Sequence, residues 1–186
     1  ATSFELDRAG NVTNVINAEG GTTAYEYDRQ GFVVGVQNAL GYRWTMQNDP
    51  AGQHLLALTD PLGRVTSNTF NEAGDLVTVR DPAGRITTYE YDAEHHVVEV
   101  QYPSGQSVAS EYNADGLVTK VESTSGYSMH YTYDAHRNLT QMTDEQGVTV
   151  TTTYDAQDRP VAIAESSGKT VQIDYEEDTG LPARIR

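Results

Sequence analysis

The chain has 186 residues, with 27 Asp or Glu, 12 Lys or Arg, a formal net charge of −15 and no Cys. The absence of cysteine excludes a disulfide framework and a thiolate metal site, and no apolar run approaches the roughly 18 residues that a membrane helix needs. The acidic balance argues against direct binding of nucleic acid and suits a basic partner. The N-terminus does not resemble a signal peptide. Because the first residue is Ala1 rather than Met, we expect a piece of a longer protein.

An internal repeat of about 21 residues runs through the whole chain. Its nine anchor positions, seven of them aromatic, are Leu6, Tyr27, Asn48, Phe70, Tyr91, Tyr112, Tyr133, Tyr154 and Tyr175. An acidic or amide residue follows every anchor, and these include Asp28, Asp92, Asp134 and Asp155. So regular a period predicts a tandem array of one supersecondary unit.

Two series of glycines predict the turns of that unit. The first lies three residues after the acidic position and includes Gly31, Gly74 and Gly116, whereas His95, Arg137 and Asp158 are exceptions. The second lies 14 or 15 residues after the anchors and has no gaps: Gly20, Gly41, Gly63, Gly84, Gly105, Gly126, Gly147 and Gly168. An Asp side chain can accept a backbone N–H two residues on, and glycine then takes the left-handed conformation that closes a short hairpin loop.

Strand-like stretches lie between the turns. Residues 85–91 alternate in a way that places Tyr89 and Tyr91 on one face, and a shorter strand returns. The paired aliphatic residues of the return strands, such as Val97 and Val100, are three apart. Either the strand bulges between them or both faces of the sheet are partly covered, and the sequence alone leaves both readings open.

These features predict an all-β fold of tandem β-hairpins that form one wide, curved antiparallel sheet. Nine hairpins give about 18 strands and a ribbon roughly 80 Å wide, which must curl or coil and would act as a wall around a space. We expect residues 1–186 to be a single array without terminal caps, whose free edges can pair with another copy. A β-propeller should show a 42-residue superperiod, a parallel β-helix fits two turns per repeat less well, and aromatic cell-wall-binding repeats are rich in Trp and Lys.

Residues 81–92, with the sequence Asp-Pro-Ala-Gly-Arg-Ile-Thr-Thr-Tyr-Glu-Tyr-Asp, resemble the RHS or YD repeat. This family includes bacterial Rhs polymorphic toxins, subunits of insecticidal toxin complexes and teneurins, and the resemblance covers essentially the whole chain. It implies a spiralling segment of a hollow β-cocoon, in which this chain and the remaining shell repeats enclose a C-terminal toxin as cargo. It further implies delivery in interbacterial competition, often by type VI secretion, of a protein that is cytoplasmic before it is exported or displayed at the cell surface.

The sequence departs from the family pattern at one point. Shells of bacterial members usually end in Asp-Pro-x-Gly-Leu, which is linked to autoproteolytic release of the toxin. The similar run from Asp60 to Arg64 ends in Arg and occupies the ordinary second-turn position, as residues 81–85 do. We therefore interpret it as a structural turn.

No residue pattern predicts a catalytic, cofactor or metal site. His95 and His96 lie beside Asp92 and Glu94, but these residues have no established ligand spacing, so a solvated turn is expected. A nucleophile elbow, a P-loop and an H-E-x-x-H motif are also absent from the sequence. The expectation is a structural, non-enzymatic protein, and the alternative is a YD-repeat adhesion module that contacts carbohydrate or a cell-surface partner.

Overall fold

The computed structural model describes residues 1–176 and 178–186, and within them the chain forms β-strands joined by tight turns, without a helix. This part of the chain accordingly has no helix of the length and apolar character needed to cross a membrane. The strands are β1 (Ser3–Leu6), β2 (Val12–Ile16), β3 (Thr22–Tyr27), β4 (Val33–Gln37), β5 (Arg43–Asn48), β6 (Leu55–Thr59), β7 (Val65–Phe70), β8 (Leu76–Arg80), β9 (Ile86–Tyr91), β10 (Val97–Gln101), β11 (Ser107–Tyr112), β12 (Val118–Ser123), β13 (Ser128–Tyr133), β14 (Leu139–Asp144), β15 (Thr149–Tyr154), β16 (Pro160–Glu165), β17 (Thr170–Tyr175) and β18 (Pro182–Ile185).

The chain divides into two compact units, Ala1–Tyr89 and Glu90–Arg186, with the boundary inside β9. In the first unit each strand from β1 to β9 pairs antiparallel with the next one in chain order. The second unit repeats this arrangement from β10 to β18. The all-β array of antiparallel hairpins predicted from the 21-residue period is therefore confirmed.

A β-bulge interrupts the ladder within the hairpins and decides the question of the paired aliphatic residues. In the β3–β4 pair, Tyr25 lies opposite Val36 and Tyr27 lies opposite Val33, so that Val34 is the extra residue. Directly opposed residues share a face, which puts both valines on the face of the two tyrosines. The same register shift occurs in β1–β2, β5–β6, β7–β8, β11–β12, β13–β14, β15–β16 and β17–β18.

The bulges give each sheet two chemically distinct faces. The tyrosine face carries the anchors, the residues two positions before them and the aliphatic pairs, as in the opposed residues Tyr133 and Leu139 or Tyr131 and Met142. The polar face carries mainly Thr, Ser, Gln and charged residues, as in the opposed Lys120 and Glu111. Alternation of this kind is typical of an antiparallel sheet that faces water on one side.

Neither face is covered by a second layer of protein among the described residues, in which no hydrophobic side chain is fully buried. Strand residues of the tyrosine face, such as Tyr25, Val33 and Met142, are half-buried by their neighbours within the sheet. The tyrosine face is therefore a semi-apolar surface that the described residues leave open.

Candidate functional site

The anchor tyrosines tie consecutive hairpins together through their hydroxyl groups. Five of them each donate a hydrogen bond to the main-chain carbonyl of the residue fifteen positions earlier, at the start of the preceding return strand. These bonds are Tyr27 to Val12 (2.8 Å), Tyr112 to Val97 (2.9 Å), Tyr133 to Val118 (2.8 Å), Tyr154 to Leu139 (2.9 Å) and Tyr175 to Pro160 (2.9 Å). The sequence marked the position of these tyrosines and did not reveal the acceptor.

Three anchors, Leu6, Asn48 and Phe70, are not tyrosine, and the repeats of the last two keep the bond by other means. Asn48 replaces the tyrosine directly, and its amide donates to the Val33 carbonyl at 3.0 Å. Phe70 has no donor, but Asn68 lies two residues earlier on the same face and donates to the Leu55 carbonyl at 2.9 Å. The carbonyl thus receives a side-chain donor even where the aromatic hydroxyl is missing.

The acidic residues after the anchors shape the turns, which we call the anchor turns. Oδ1 of Asp28 accepts the N–H of Gln30 at 2.8 Å and that of Phe32 at 3.0 Å. Asp92, Asp134 and Asp155 each accept the corresponding two N–H groups. One carboxylate oxygen therefore satisfies two backbone donors of a tight loop.

Cationic and imidazole side chains form further hydrogen bonds with several turn carboxylates and lower their pKa values. The hydrogen bond from the Arg159 guanidinium is the main cause that holds the pKa of Asp155 below its ordinary value, and that from His54 does the same for the pKa of Asp49. In the second series of turns, which we call the return turns, the backbone N–H of Arg64 is the largest cause of the lowered pKa of Asp60.

The Asp60–Arg64 segment is a return turn like its neighbour at 81–85. Oδ1 of Asp60 accepts the N–H groups of Leu62 and Arg64, each at 2.9 Å, and the Arg64 side chain donates to Oδ2 at 2.6 Å. Asp81 and Arg85 repeat this arrangement, with the same 2.6 Å contact. The geometry supports the structural interpretation of this Asp-Pro-x-Gly motif.

The glycines of both series occupy the left-handed region. The φ angles lie between 74° and 94° at Gly31, Gly41, Gly63, Gly74, Gly84, Gly105, Gly116, Gly126, Gly147 and Gly168. His95, Arg137 and Asp158 replace glycine in the first series and nevertheless have φ of 68°, 70° and 59°. The turn geometry is therefore kept where the sequence pattern breaks, which costs local strain at these three residues.

Neighbouring anchor turns also contact one another. A Cβ placed on Gly52 would lie 2.1 Å from the ring of Phe32, and one on Gly116 would lie 2.9 Å from Nε2 of His96. The preceding repeat thus lays a side chain over the glycine of the next turn. Where glycine is absent the contact is polar: Arg137 donates to the Asp115 carbonyl at 2.9 Å.

Asp158 provides the second polar contact of this kind. Its Oδ1 accepts from Asn138 at 2.8 Å and lies 2.8 Å from Nδ1 of His136. This hydrogen bond to Asp158 is the main cause of the raised pKa of His136.

A recurring side-chain arrangement, which we call the clasp, joins an anchor turn to the next hairpin. It consists of a turn carboxylate, a His or Arg four or five residues later, and the aromatic anchor of the following hairpin. The described residues contain Asp49–His54–Phe70, Asp92–His96–Tyr112 and Asp155–Arg159–Tyr175, with carboxylate contacts of 2.7, 3.0 and 2.7 Å and ring-centroid distances of 4.4, 4.6 and 4.4 Å. Each clasp joins side chains that are about 20 residues apart, and the sequence analysis did not predict these contacts.

The Asp92 clasp carries an additional carboxylate. Potential ligand atoms of Asp92, Glu94 and His96 all lie within 4.8 Å of one another. The sequence predicted a solvated turn here because the spacing matches no established motif. The structure brings the three side chains together because this tight turn aligns alternate residues.

Ion pairs between strands lie on the polar face. Arg43 of β5 pairs with Glu26 of β3 across the intervening β4, with one contact of 2.7 Å. Gly35 of β4 lies beneath this pair and is the one residue of the described chain that is buried. Lys120 of β12 lies 3.5 Å from Glu111 of the neighbouring β11 and 2.7 Å from Glu122 of its own strand. Partly exposed charge pairs of this kind are typical of a face in contact with water.

The repeat geometry agrees with a known sequence family. The sequence model of the RHS repeat matches residues 7–43, 70–107, 112–149 and 138–170, which together cover more than half of the chain. The chain belongs to the RHS repeat family. Its anchor tyrosines, turn aspartates and turn glycines are therefore features of an RHS repeat array. No curated protein matches the sequence.

Solved structures show the same fold for this RHS repeat chain. It is similar to the crystal structure of TcdB2-TccC3-TEV, with a TM-score of 0.80 and 18% identity over 99% of the chain. It is also similar to the crystal structure of TcdB2-TccC3-Cdc42 (TM-score 0.78, 18% identity, 97% of the chain) and to a Photorhabdus luminescens Tc holotoxin pore with a TccC3 mutation (0.72, 19%, 87%). The chain spans 11%, 12% and 10% of those structures, respectively, or about a tenth of their length.

Proposed function

We propose that this chain is a wall segment of an Rhs-type shell that encapsulates an effector. The observation that carries the proposal is the pair of unlike faces on a single-layer hairpin sheet. The polar face carries the interstrand ion pairs, whereas the tyrosine face is semi-apolar and has no protein layer over it among the described residues. A large apolar surface of this kind marks an interaction site or an aggregation hazard, and enclosure around a guest removes the hazard.

The tyrosine face is the side that we assign to the guest. Phenol and aliphatic groups alternate along it, and its anchor hydroxyls are already bonded to main-chain carbonyls. Such a surface has few unpaired hydrogen-bond donors. A confined protein would therefore not be bound tightly, and its own hydrogen bonds would not be exchanged for bonds to the wall. A wall has no need of catalytic groups, and we propose a non-enzymatic role.

The remaining repeats of a longer protein would complete the shell. Support comes from the toxin structures that share this fold, of which the chain covers about a tenth. In this proposal the partners are those further repeats and a basic C-terminal toxin of the same polypeptide, since the net charge of −15 attracts a basic guest.

The proposal extends to delivery. The protein would be exported in interbacterial competition, for which type VI secretion is the proposed route, and it would reside in the cytoplasm before delivery. The family resemblance and the toxin structures support this extension. The chain's own contacts support only the wall.

A second candidate function is an adhesion module that binds carbohydrate. One observation favours it: Tyr42, Tyr102 and Tyr127, which lie at return turns, are 52%, 44% and 45% exposed. Exposed aromatic rings present flat apolar surfaces of the kind on which sugar rings can pack. Glycan-array binding by this chain that is lost in Tyr102→Ala and Tyr127→Ala would support adhesion.

Limited proteolysis of the full-length protein tests the shell proposal. We expect the C-terminal segment to survive in the intact protein and to be cut quickly when it is expressed alone. A cleavable linker appended to the N-terminus of the full-length protein is the control. It lies outside the shell, so the protease should cut it under the conditions in which the C-terminal segment survives. Equal cutting of the C-terminal segment in the two contexts would contradict encapsulation.

A further inference from the structure

We propose that Asp92, Glu94 and His96 form a binding site for a divalent transition-metal ion, for which Zn²⁺ is the probe. Within the described part of the chain they are the one group of three carboxylate or imidazole residues whose potential ligand atoms all lie within 4.8 Å of one another. Imidazole nitrogen and carboxylate oxygen are ligands that Zn²⁺ accepts. The inference concerns a local site and goes beyond the role of the chain as a wall.

The imidazole is held in place by contacts on two sides. Its ring stacks on Tyr112 with a centroid distance of 4.6 Å and an interplanar angle of 19°. Its Nε2 lies over Gly116, where an added Cβ would be only 2.9 Å away. Nδ1 faces the carboxylate of Asp92 and is the ring nitrogen that we assign to the metal.

The Asp92 carboxylate is also fixed before a metal arrives. Its Oδ1 accepts the backbone N–H groups of Glu94 and His96 at 3.0 and 2.9 Å, which leaves Oδ2 to face Nδ1 at 3.0 Å. Bonds of about 2.0 Å to a tetrahedral Zn²⁺ place two ligand atoms about 3.3 Å apart. These two atoms thus already stand near the required separation.

Glu94 supplies the third ligand at little structural cost. Its side chain is exposed on the turn and its carboxylate lies within 4.8 Å of the other two ligand atoms, so a change of rotamer can bring it to a tetrahedral position. The three residues line an open cavity of about 770 Å³ together with Ser110 and Asn113. The cavity leaves room for water to complete the coordination.

The chain contains a matched control for this site. The clasp of Asp49 and His54 has the same carboxylate–imidazole contact, at 2.7 Å, and the same stacking on an anchor aromatic, Phe70. Two residues after Asp49, however, stands Ala51 where the first site has Glu94. The comparison isolates the contribution of the third ligand.

Isothermal titration of this chain with Zn²⁺ tests the proposal. We expect one saturable site, affinity lowered at least about tenfold in Glu94→Gln and His96→Gln, and unchanged affinity in His54→Gln. Because His96→Gln also breaks a clasp, the exposed Glu94→Gln is the decisive variant, and its thermal midpoint without metal should match the wild type. In the wild type, but not in Glu94→Gln, saturating Zn²⁺ should raise the midpoint. Absence of saturable binding, or equal affinity in Glu94→Gln and wild type, would overturn the site.

Discussion

The side-chain amide of Asn68 donates a hydrogen bond of 2.9 Å to the main-chain carbonyl of Leu55. In five other repeats the matching carbonyl accepts from an anchor tyrosine, whereas here the anchor is Phe70, which has no donor. The bond between consecutive hairpins is thus maintained by a different residue from the neighbouring position of the same face. What the repeat requires is a donor for this carbonyl, and tyrosine is its usual source.

Replacement of Asn68 should expose this requirement. Asn68→Ala leaves the Leu55 carbonyl without its donor and should lower the free energy of unfolding by about 1 kcal/mol. Phe70→Tyr should restore most of that loss in the Asn68→Ala background, because it supplies the hydroxyl used in other repeats, and should change the wild type less. Urea unfolding of the four proteins measures the coupling, and simple additivity of the two substitutions would contradict the shared-carbonyl account.

The two tyrosines of β3 offer a matched test of the anchor bond. Tyr27→Phe removes the hydroxyl that donates to Val12 at 2.8 Å and should cost about 1 kcal/mol of unfolding free energy. Tyr25→Phe, on the same strand and face, removes a hydroxyl that bonds no other described residue and should have a much smaller effect. Thermal or urea unfolding measures both variants. An equal loss of stability in the two would show that the bond from Tyr27 to Val12 does not account for the loss.

Two turn glycines separate backbone strain from contact with the preceding repeat. Gly105→Ala should cost about 1 kcal/mol, because φ is +83° and nothing lies within 4 Å of an added Cβ. Gly52→Ala combines a φ of +69° with a Cβ 2.1 Å from the Phe32 ring. Overpacking should therefore add roughly 1–3 kcal/mol to the loss of unfolding free energy. Phe32→Ala should relieve the extra cost in the Gly52→Ala background. Similar losses at the two glycines would show that Phe32 does not press on the Gly52 turn.

Acid should weaken the fold through the turn carboxylates. The pKa values of Asp7, Asp49, Asp60 and Asp155 lie below their ordinary values in the folded chain. Their stabilising contribution is therefore complete above the unfolded value of about 3.9 and is lost as pH falls through the lower folded values. The free energy of unfolding should fall steadily between pH 5 and pH 2, as measured by urea titration at each pH.

Asp155→Asn serves as the control for this pH dependence. The amide oxygen can still accept the two backbone N–H groups of the turn, but it no longer titrates and loses the charge partner of Arg159. The variant should be less stable than the wild type at pH 7 and should show a shallower loss in acid. A wild-type stability that stays constant between pH 5 and pH 2 would contradict the role assigned to these carboxylates.

Much of the fold could be predicted because its signals are local. The anchor and glycine periods gave the hairpins and their turns, since Asp28 and Gly31 determine their own loop through backbone hydrogen bonds and a positive φ. The bulge at Val34 could not be chosen over a doubly covered sheet, because both readings give the same three-residue spacing of aliphatic side chains.

The contacts between repeats were less accessible from the sequence. The partner of the Tyr27 hydroxyl is a main-chain carbonyl, which any residue provides, so the sequence carries no signal for it. The clasp of Asp92, His96 and Tyr112 joins residues of two hairpins, and its register follows from strand pairing rather than from chain order. The one available signal for a clasp is a His or Arg four or five residues after a turn Asp, followed by an aromatic residue at the next anchor.

Photo-crosslinking in the longer protein that we propose to contain this chain tests the wall most directly. Tyr131 and Thr132 are adjacent on β13 and lie on the tyrosine and polar faces, opposite Met142 and Gln141. With p-benzoylphenylalanine at one position or the other, we expect crosslinks to the proposed C-terminal guest from position 131 and none from position 132. Equal crosslinking from both positions, or crosslinking only from position 132, would contradict a wall whose tyrosine face encloses the guest.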